Sequence, residues 1–304
     1  MEAAVAALRA GRLVVLPTET VYGLAADAAN PEAIARIYEA KGRPRFNPLI
    51  AHVSDRAMAE RIAPLPPLAA KLAEAFWPGP LTLVVPIGQT TAVCDLARAG
   101  LDTVALRAPA HQLAQQVIAA FGGPVCAPSA NRSGRPSPTT HADAVEETGA
   151  SAAVALDGGP CAVGLESTVV SVIGGEARLL RPGGLERTAI EAVVGPLAAG
   201  PEDAHRSPGR LALHYAPNAP VRLNVDTPEP GEAYLAFGSG QVTGDRLFTL
   251  SASGDLREAA ANLFSLLRAA DRLHPSAIAV ASIPDRGIGE AINDRLRRAA
   301  GFVG

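Results

Sequence analysis

Lysine is nearly missing from this 304-residue chain: of its 27 basic residues only Lys41 and Lys71 are lysines, and the rest are arginines. Against 30 acidic residues the formal net charge is −3, so no molecule-wide positive field exists to capture nucleic acid or anionic lipid. Any basic patch must be local. Cysteine is equally scarce. Cys94, Cys126 and Cys161 are odd in number, widely spaced and without a Cys-x-x-Cys pair, which argues against a disulfide framework and against a zinc site. No apolar run approaches the roughly 18–20 residues of a membrane helix. The start Met1-Glu2-Ala3-Ala4-Val5 lacks the basic stretch that opens a signal peptide. Membrane association is therefore not expected, and the expected location is the cytoplasm. Hydrophobicity is not lacking: 48% hydrophobic and 19% charged residues exclude an intrinsically disordered chain. Glycine and proline, 29 and 26 in number, predict a folded but loop-rich protein, and the length suggests two domains.

Short apolar runs bounded by turn residues alternate with amphipathic stretches, the pattern of an α/β fold. Strands are expected at 13–16, 49–53, 81–86, 103–107, 125–127, 153–156, 168–173 and 177–180. Helices are expected at 31–40, capped by Asn30 with Pro31 at the first position, after Ser54 as a cap, and at 65–76 and 110–121. Gly174-Gly175 is a hairpin signal, so a single mixed sheet is expected up to about residue 197. The stretch from Leu197 to Pro220 carries Gly200, Pro201, Pro208, Gly209, Pro217 and Pro220 and reads as a linker. Beyond it, strands at 233–237, 247–250 and 277–281 alternate with helices at 255–273 and 289–300, a small α/β domain. The expected division is a catalytic domain over 1–197, a linker over 198–220 and a C-terminal domain over 221–304.

Four loops of the first domain carry more polar, glycine and proline residues than a connection needs. The first, Pro17-Thr18-Glu19-Thr20-Val21-Tyr22-Gly23-Leu24, follows the opening strand, where α/β sheets place ligands. Its hydroxyls suit a polar substrate, and they equally suit a turn with threonine caps. In the second, Lys41-Gly42-Arg43-Pro44-Arg45-Phe46-Asn47-Pro48, three cations lie within five residues. Favourable charge at a helix C-terminus is worth about 0.3–1 kcal/mol and takes one cation, not three, so a phosphate clamp is the better reading. The third, from Ala127 to Thr139, offers hydroxyls, the Asn131 amide and the Arg132 and Arg135 guanidiniums. It suits a phosphate or is a polar surface loop, and it has neither a P-loop nor a dinucleotide fingerprint. The fourth runs from Asp157 through Glu166-Ser167-Thr168 to Arg181-Pro182-Gly183. No Gly-x-Ser-x-Gly elbow accompanies the six histidines, so nucleophilic catalysis is not expected. No His-Glu-x-x-His or similar cluster suggests a metal held by the protein.

In order along the chain these segments resemble the threonylcarbamoyl-AMP synthases, in the longer form that joins a YrdC-like domain to a second domain. The resemblance rests on Pro17–Leu24, Lys41-Gly42-Arg43-Pro44 with Asn47-Pro48-Leu49, Ser129-Ala130-Asn131 with Ser133-Gly134, Glu166-Ser167-Thr168-Val169, Leu180-Arg181-Pro182-Gly183, Ser207-Pro208-Gly209 and His214-Tyr215-Ala216-Pro217. It implies a twisted mixed-sheet α/β domain followed by a small Rossmann-like α/β domain. It also implies a nucleotidyltransferase that makes threonylcarbamoyl-AMP and pyrophosphate from L-threonine, bicarbonate and ATP, with Mg²⁺ carried by the ATP. The product would pass to the transferase machinery that modifies tRNA. By position, the family's catalytic phosphate contacts fall on Lys41, Arg43, Ser129 and Asn131, and its other nucleotide contacts on Asn47, Ser137, Arg181 and Tyr215. Its threonine contacts fall on Thr20, His52, Arg107, Ala127 and Ser167. Position 127 is often threonine in relatives, so a contact there would run through the backbone. The resemblance leaves two rivals: a non-catalytic module that binds RNA or nucleotide, with weak RNA binding, and a carbamoyl-transferring relative, which the missing acylphosphatase-like and zinc-finger segments disfavour.

Overall fold

The computed structural model describes residues 1–44, 46–89, 91–198, 214–239 and 244–301. Helix α1 (Glu2–Arg9) turns Ala4, Val5, Ala7 and Leu8 inward against the sheet that begins with β1 (Leu13–Leu16), all four of whose residues are buried. The chain does not run from β1 straight into a helix. Residues 17–22 loop back, and β2 (Gly23–Asp27) pairs antiparallel with β1, placing Leu24 opposite Val15. Helix α2 (Pro31–Lys41) is fixed at both ends: the Asn30 side chain accepts from the Glu32 and Ala33 N–H groups, and Gly42 stops the helix at φ 59°.

There follow β3 (Ile50–His52), α3 (Arg56–Ile62), α4 (Pro67–Phe76), β4 (Leu81–Pro86), α5 (Asp95–Arg98), β5 (Thr103–Arg107), α6 (Gln112–Phe121), β6 (Val125–Cys126), α7 (His141–Thr148), β7 (Ala152–Ala155), β8 (Thr168–Ile173), β9 (Glu176–Arg181) and α8 (Arg187–Val194). The nine strands form one mixed sheet in the order β7-β1-β2-β6-β3-β5-β4-β8-β9. Gly174 and Gly175, both at positive φ, turn β8 into antiparallel β9. One expected cap is corrected. Asp55, not Ser54, caps α3 by accepting from the Met58 N–H at 2.8 Å, because the Ser54 hydroxyl is spent on the Asp55 carboxylate.

The second domain has β10 (Val221–Arg222), β11 (Ala233–Phe237), β12 (Leu247–Ser251), α9 (Leu256–Asp271), β13 (Ile278–Val280) and α10 (Gly289–Ala299). Its sheet is wholly parallel, in the order β10-β13-β11-β12, and Asp255 caps α9. Most of the expected linker, residues 199–213, lies outside the described residues.

The two sheets belong to one folded body because they share a core. Val21 and Leu165 of the first domain sit in the same apolar cluster as Tyr215, Leu263, Phe264 and Ile292. Gly164 makes this closeness possible: it has φ 73°, and a Cβ there would lie 2.4 Å from the Ala261 Cα. Only glycine tolerates both constraints. Gly164→Val should therefore force α9 away from the first domain and lower the thermal midpoint by several degrees; an unchanged melting curve would show that the contact is not needed for docking.

Candidate active site

The loops after β1, α2 and β6 and the segment leading into β8 converge beside the ends of β3 and β5, and residues 214–215 close over them. Between them lies a cavity of about 50 Å³. It brings together Thr20, His52, Arg107, Ala127 and Ser167, the expected threonine contacts, with Arg43, Ser129, Arg181 and Tyr215 of the expected nucleotide set. The other four expected residues adjoin it through hydrogen bonds. The Lys41 Nζ donates to the backbone oxygens of Ser129 and Asn131. The Asn47 carbonyl accepts from Arg43, and the Ser137 hydroxyl donates to Glu166. Asn131 uses its Nδ2 to fold its own loop, donating to the carbonyls of Arg132 and Arg135 at 2.8 and 2.9 Å. Among the described residues, the side-chain oxygens of Asn47 and Asn131 are buried without a hydrogen-bond partner.

The placement of these cations follows from local sequence. Lys41 is the last residue of α2, so the left-handed turn at Gly42 throws Arg43 back toward the same cavity while Lys41 is still 4% exposed. Arg107 ends β5, where it donates to the Thr20 hydroxyl at 2.8 Å and to Glu19 at 2.7 Å. Arg181 ends β9 and donates to the Ser167 carbonyl at 2.9 Å. The Ser167 hydroxyl lies 2.7 Å from that of Thr82 on β4.

Burial sets the protonation of these groups. Desolvation, with the neighbouring Arg43 charge, pulls the Lys41 ammonium down to about 7, and desolvation holds Arg43 at about 10. The imidazoles of His52 and His214 are pushed down to about 3, chiefly by burial and next, for His52, by the Arg107 charge. Both are neutral at physiological pH and serve as hydrogen-bonding groups, not cations. Burial also disfavours the Glu166 carboxylate, yet Arg295, Arg181 and the Ser137 hydroxyl hold it below the usual range. It is an internal anion among the cations.

Three participants were not among the expected contacts: Glu166, His214 and Arg295. Glu166 and His214 lie in segments that the family resemblance picked out, but a carboxylate beside a phosphate site reads as repulsive until its partner is known. That partner, Arg295 of α10, donates to Glu166 Oε2 at 2.9 Å across 129 positions of sequence, and no spacing rule reaches so far. Its guanidinium carbon also lies 5.2 Å from the centre of the Tyr215 ring. Tyr215 itself is held at φ 62°, edge-on to His214 and 5.4 Å from Phe264. The next residue, Ala216, donates its N–H to the Gly134 carbonyl.

Comparison with known proteins agrees over both domains. Residues 6–183 match the family model described as "Telomere recombination", and residues 185–301 match that of the "Threonylcarbamoyl-AMP synthase, C-terminal domain". A threonylcarbamoyl-AMP synthase of Pyrococcus abyssi is 40% identical over 97% of this chain and 92% of its own. The chain belongs to the threonylcarbamoyl-AMP synthase family. It is accordingly a nucleotidyltransferase. The threonylcarbamoyl-AMP synthase of Bacillus subtilis is likewise 40% identical, over 98% of this chain and 92% of that one. The crystal structure of P. abyssi Sua5 complexed with L-threonine superposes with a TM-score of 0.89 at 39% identity, covering 98% of this chain and 93% of the other. The mixed-sheet and parallel-sheet domains are therefore the family's fold.

A buried cation without its own carboxylate is a cost to folding. With a folded-state value of about 7 against about 10.4 in an unfolded chain, Lys41 destabilises the ligand-free protein in full below pH 7. The penalty shrinks as pH rises from 7 toward 10. Lys41→Met should raise the ligand-free thermal midpoint by a few degrees at pH 6, with the gain fading by pH 10. A gain independent of pH, or a loss at pH 6, would contradict this assignment of charge.

Proposed function

We propose that this protein condenses L-threonine, bicarbonate and ATP to threonylcarbamoyl-AMP and pyrophosphate, as a step toward threonylcarbamoyladenosine in tRNA. The threonine amine bonds to the carbon of bicarbonate, releasing water and forming a carbamate. A carbamate oxygen then attacks the α-phosphorus of ATP, and the bond to the β-phosphate bridging oxygen breaks as pyrophosphate leaves. Transfers of this kind are catalysed by positioning and charge stabilisation, so a site of cations, hydroxyls and amides suffices.

The reading is supported by the convergence of Lys41, Arg43, Ser129 and Arg181 beside Thr20, His52, Arg107 and Ser167. Lys41 and Arg43 would neutralise the departing pyrophosphate with Ser129 and Asn131, while Asn47, Ser137, Arg181 and Tyr215 hold the rest of the nucleotide. Arg107 suits the threonine carboxylate as a fork donor, Thr20, His52 and Ser167 suit its polar groups, and Ala127 offers only backbone. Mg²⁺ arrives on ATP as part of the substrate. The 50 Å³ cavity is far below the roughly 300–1,000 Å³ of ligand sites, and the buried linker residues His214 and Tyr215 line it. In our reading residues 198–220 are therefore a lid that must lift for ATP to enter, between a catalytic domain over 1–197 and a covering domain over 221–304. In this reading transfer to tRNA falls to partner proteins, and the reaction runs in the cytoplasm.

Pyrophosphate release should require ATP, bicarbonate and threonine together, and Lys41→Ala or Arg43→Ala should reduce it at least a hundredfold while the chain stays folded. Wild-type turnover in either variant would refute the assignment. RNA binding without threonine-dependent turnover would favour a non-catalytic binding module instead.

A further inference from the structure

The loop expected to receive the nucleotide, residues 129–137, is fastened from the other domain. Glu147 of α7 projects into the space under this loop, and its side chain is 2% exposed. Its Oε2 accepts from the Arg132 backbone N–H at 2.8 Å. Its Oε1 accepts from the Arg135 Nε at 2.8 Å and from Nη1 of Arg268 at 2.9 Å. Arg268 belongs to α9, is 4% exposed, and uses its Nη2 to donate to the Pro136 carbonyl, immediately before Ser137. Burial works against the Glu147 charge, but the Arg132 N–H, Arg268 and Arg135 keep its carboxyl below the usual range. It therefore stays ionised.

A buried ion pair adds little net stability compared with apolar packing, so docking alone does not account for this one. The domains already meet through exposed pairs such as Arg187 with Glu290 and Arg257 with Glu186. What distinguishes the Glu147–Arg268 pair is where its bonds end. They end on the Arg132 N–H, the Arg135 side chain and the Pro136 carbonyl, in the loop whose Arg132 and Arg135 carbonyls the Asn131 amide also grips. The Asn131 carbonyl in turn holds the Lys41 ammonium. A shift of this segment would displace Asn131, Ser137 and Lys41 together.

We propose that Arg268 and Glu147 are positioning residues for nucleotide binding, through which the second domain sets the geometry of a loop it does not itself contain. The proposal rests on the reading that Asn131, Ser137 and Lys41 contact ATP. It places no demand on the threonine side of the site, whose residues Thr20, His52 and Arg107 lie on other elements.

Steady-state pyrophosphate release by the full chain tests it, with ATP and threonine varied separately. Glu147→Gln and Arg268→Met should each raise the ATP KM about tenfold or more and leave the threonine KM within about twofold. Arg268→Lys, which keeps the charge and one donor, should recover part of the loss. Arg187→Gln, which removes a rim contact between the same domains, should change neither constant. An ATP KM at the wild-type value in folded Glu147→Gln would overturn the proposal, as would equal rises in both KM values or the same ATP defect in Arg187→Gln. If Arg268→Met does not fold, Arg268→Gln carries the test, and a wild-type ATP KM there overturns it equally. A wild-type chain without threonine-dependent turnover would instead refute the functional reading on which the proposal stands.

Discussion

Charge taken out of water is the constraint on which this structure turns. Lys41, Arg107 and Arg181 are each less than a tenth exposed, and Arg43 joins them at one cavity. The carboxylates among them are Glu166 and Glu19, and both are already engaged by arginines. Desolvation is expensive for each cation, and it shows in the depressed values of Lys41 and Arg43. A site in that condition favours a polyanion. The Lys41 ammonium donates to two backbone oxygens, and Glu147 and Glu166 offset its desolvation only in part.

The two-domain architecture follows from the same constraint. Without residues 214–215 over it the cavity would open to water, where charge interactions are weaker. The linker contributes cover through Tyr215, and the second domain adds Phe264 behind it and charge through Arg295 and Arg268. Arg295 is fully buried. Burial disfavours its charge, but Tyr215, Glu166 and Asp294 outweigh that and raise it further into the cationic range. The strained backbone of Tyr215 is consistent with a residue held in place by its surroundings rather than by its own preference.

Where the sequence was legible, one physical signal dominated locally. Strands β1, β4, β5 and β8 were expected over their observed spans because each is an apolar run closed by turn residues. Helices α9 and α10 show a clear 3.6-residue period. α7 was not expected because its acidic and threonine residues weaken that period, whereas α1 and α8 are as amphipathic as α9 but only eight residues long; β2 was not expected because Gly-Leu-Ala-Ala-Asp has weak strand propensity and pairs only thanks to its neighbours β1 and β6. The site divides in the same way. Loop composition marked Lys41, Arg43, Ser129 and Asn131 as phosphate-like, but that His52 and Arg107 meet them was implied by family resemblance alone. The Glu166–Arg295 and Glu147–Arg268 pairs join residues more than a hundred positions apart, beyond any local rule.

The chemistry needs no side-chain nucleophile, and the two histidines at the cavity, His52 and His214, are neutral and buried. In the function proposed above, the site exchanges its internal partners for phosphate oxygens, and at Lys41 that exchange would carry a proton. Calorimetry of ATP binding at pH 8, in two buffers of different ionisation enthalpy, measures it directly. Lys41 is mostly neutral at that pH in the free protein and a cation against phosphate, so the wild type should take up close to one proton per ATP bound, and Lys41→Met none. Binding of ATP to the wild type with no proton uptake would contradict a dehydrated, anion-seeking lysine at the centre of the site.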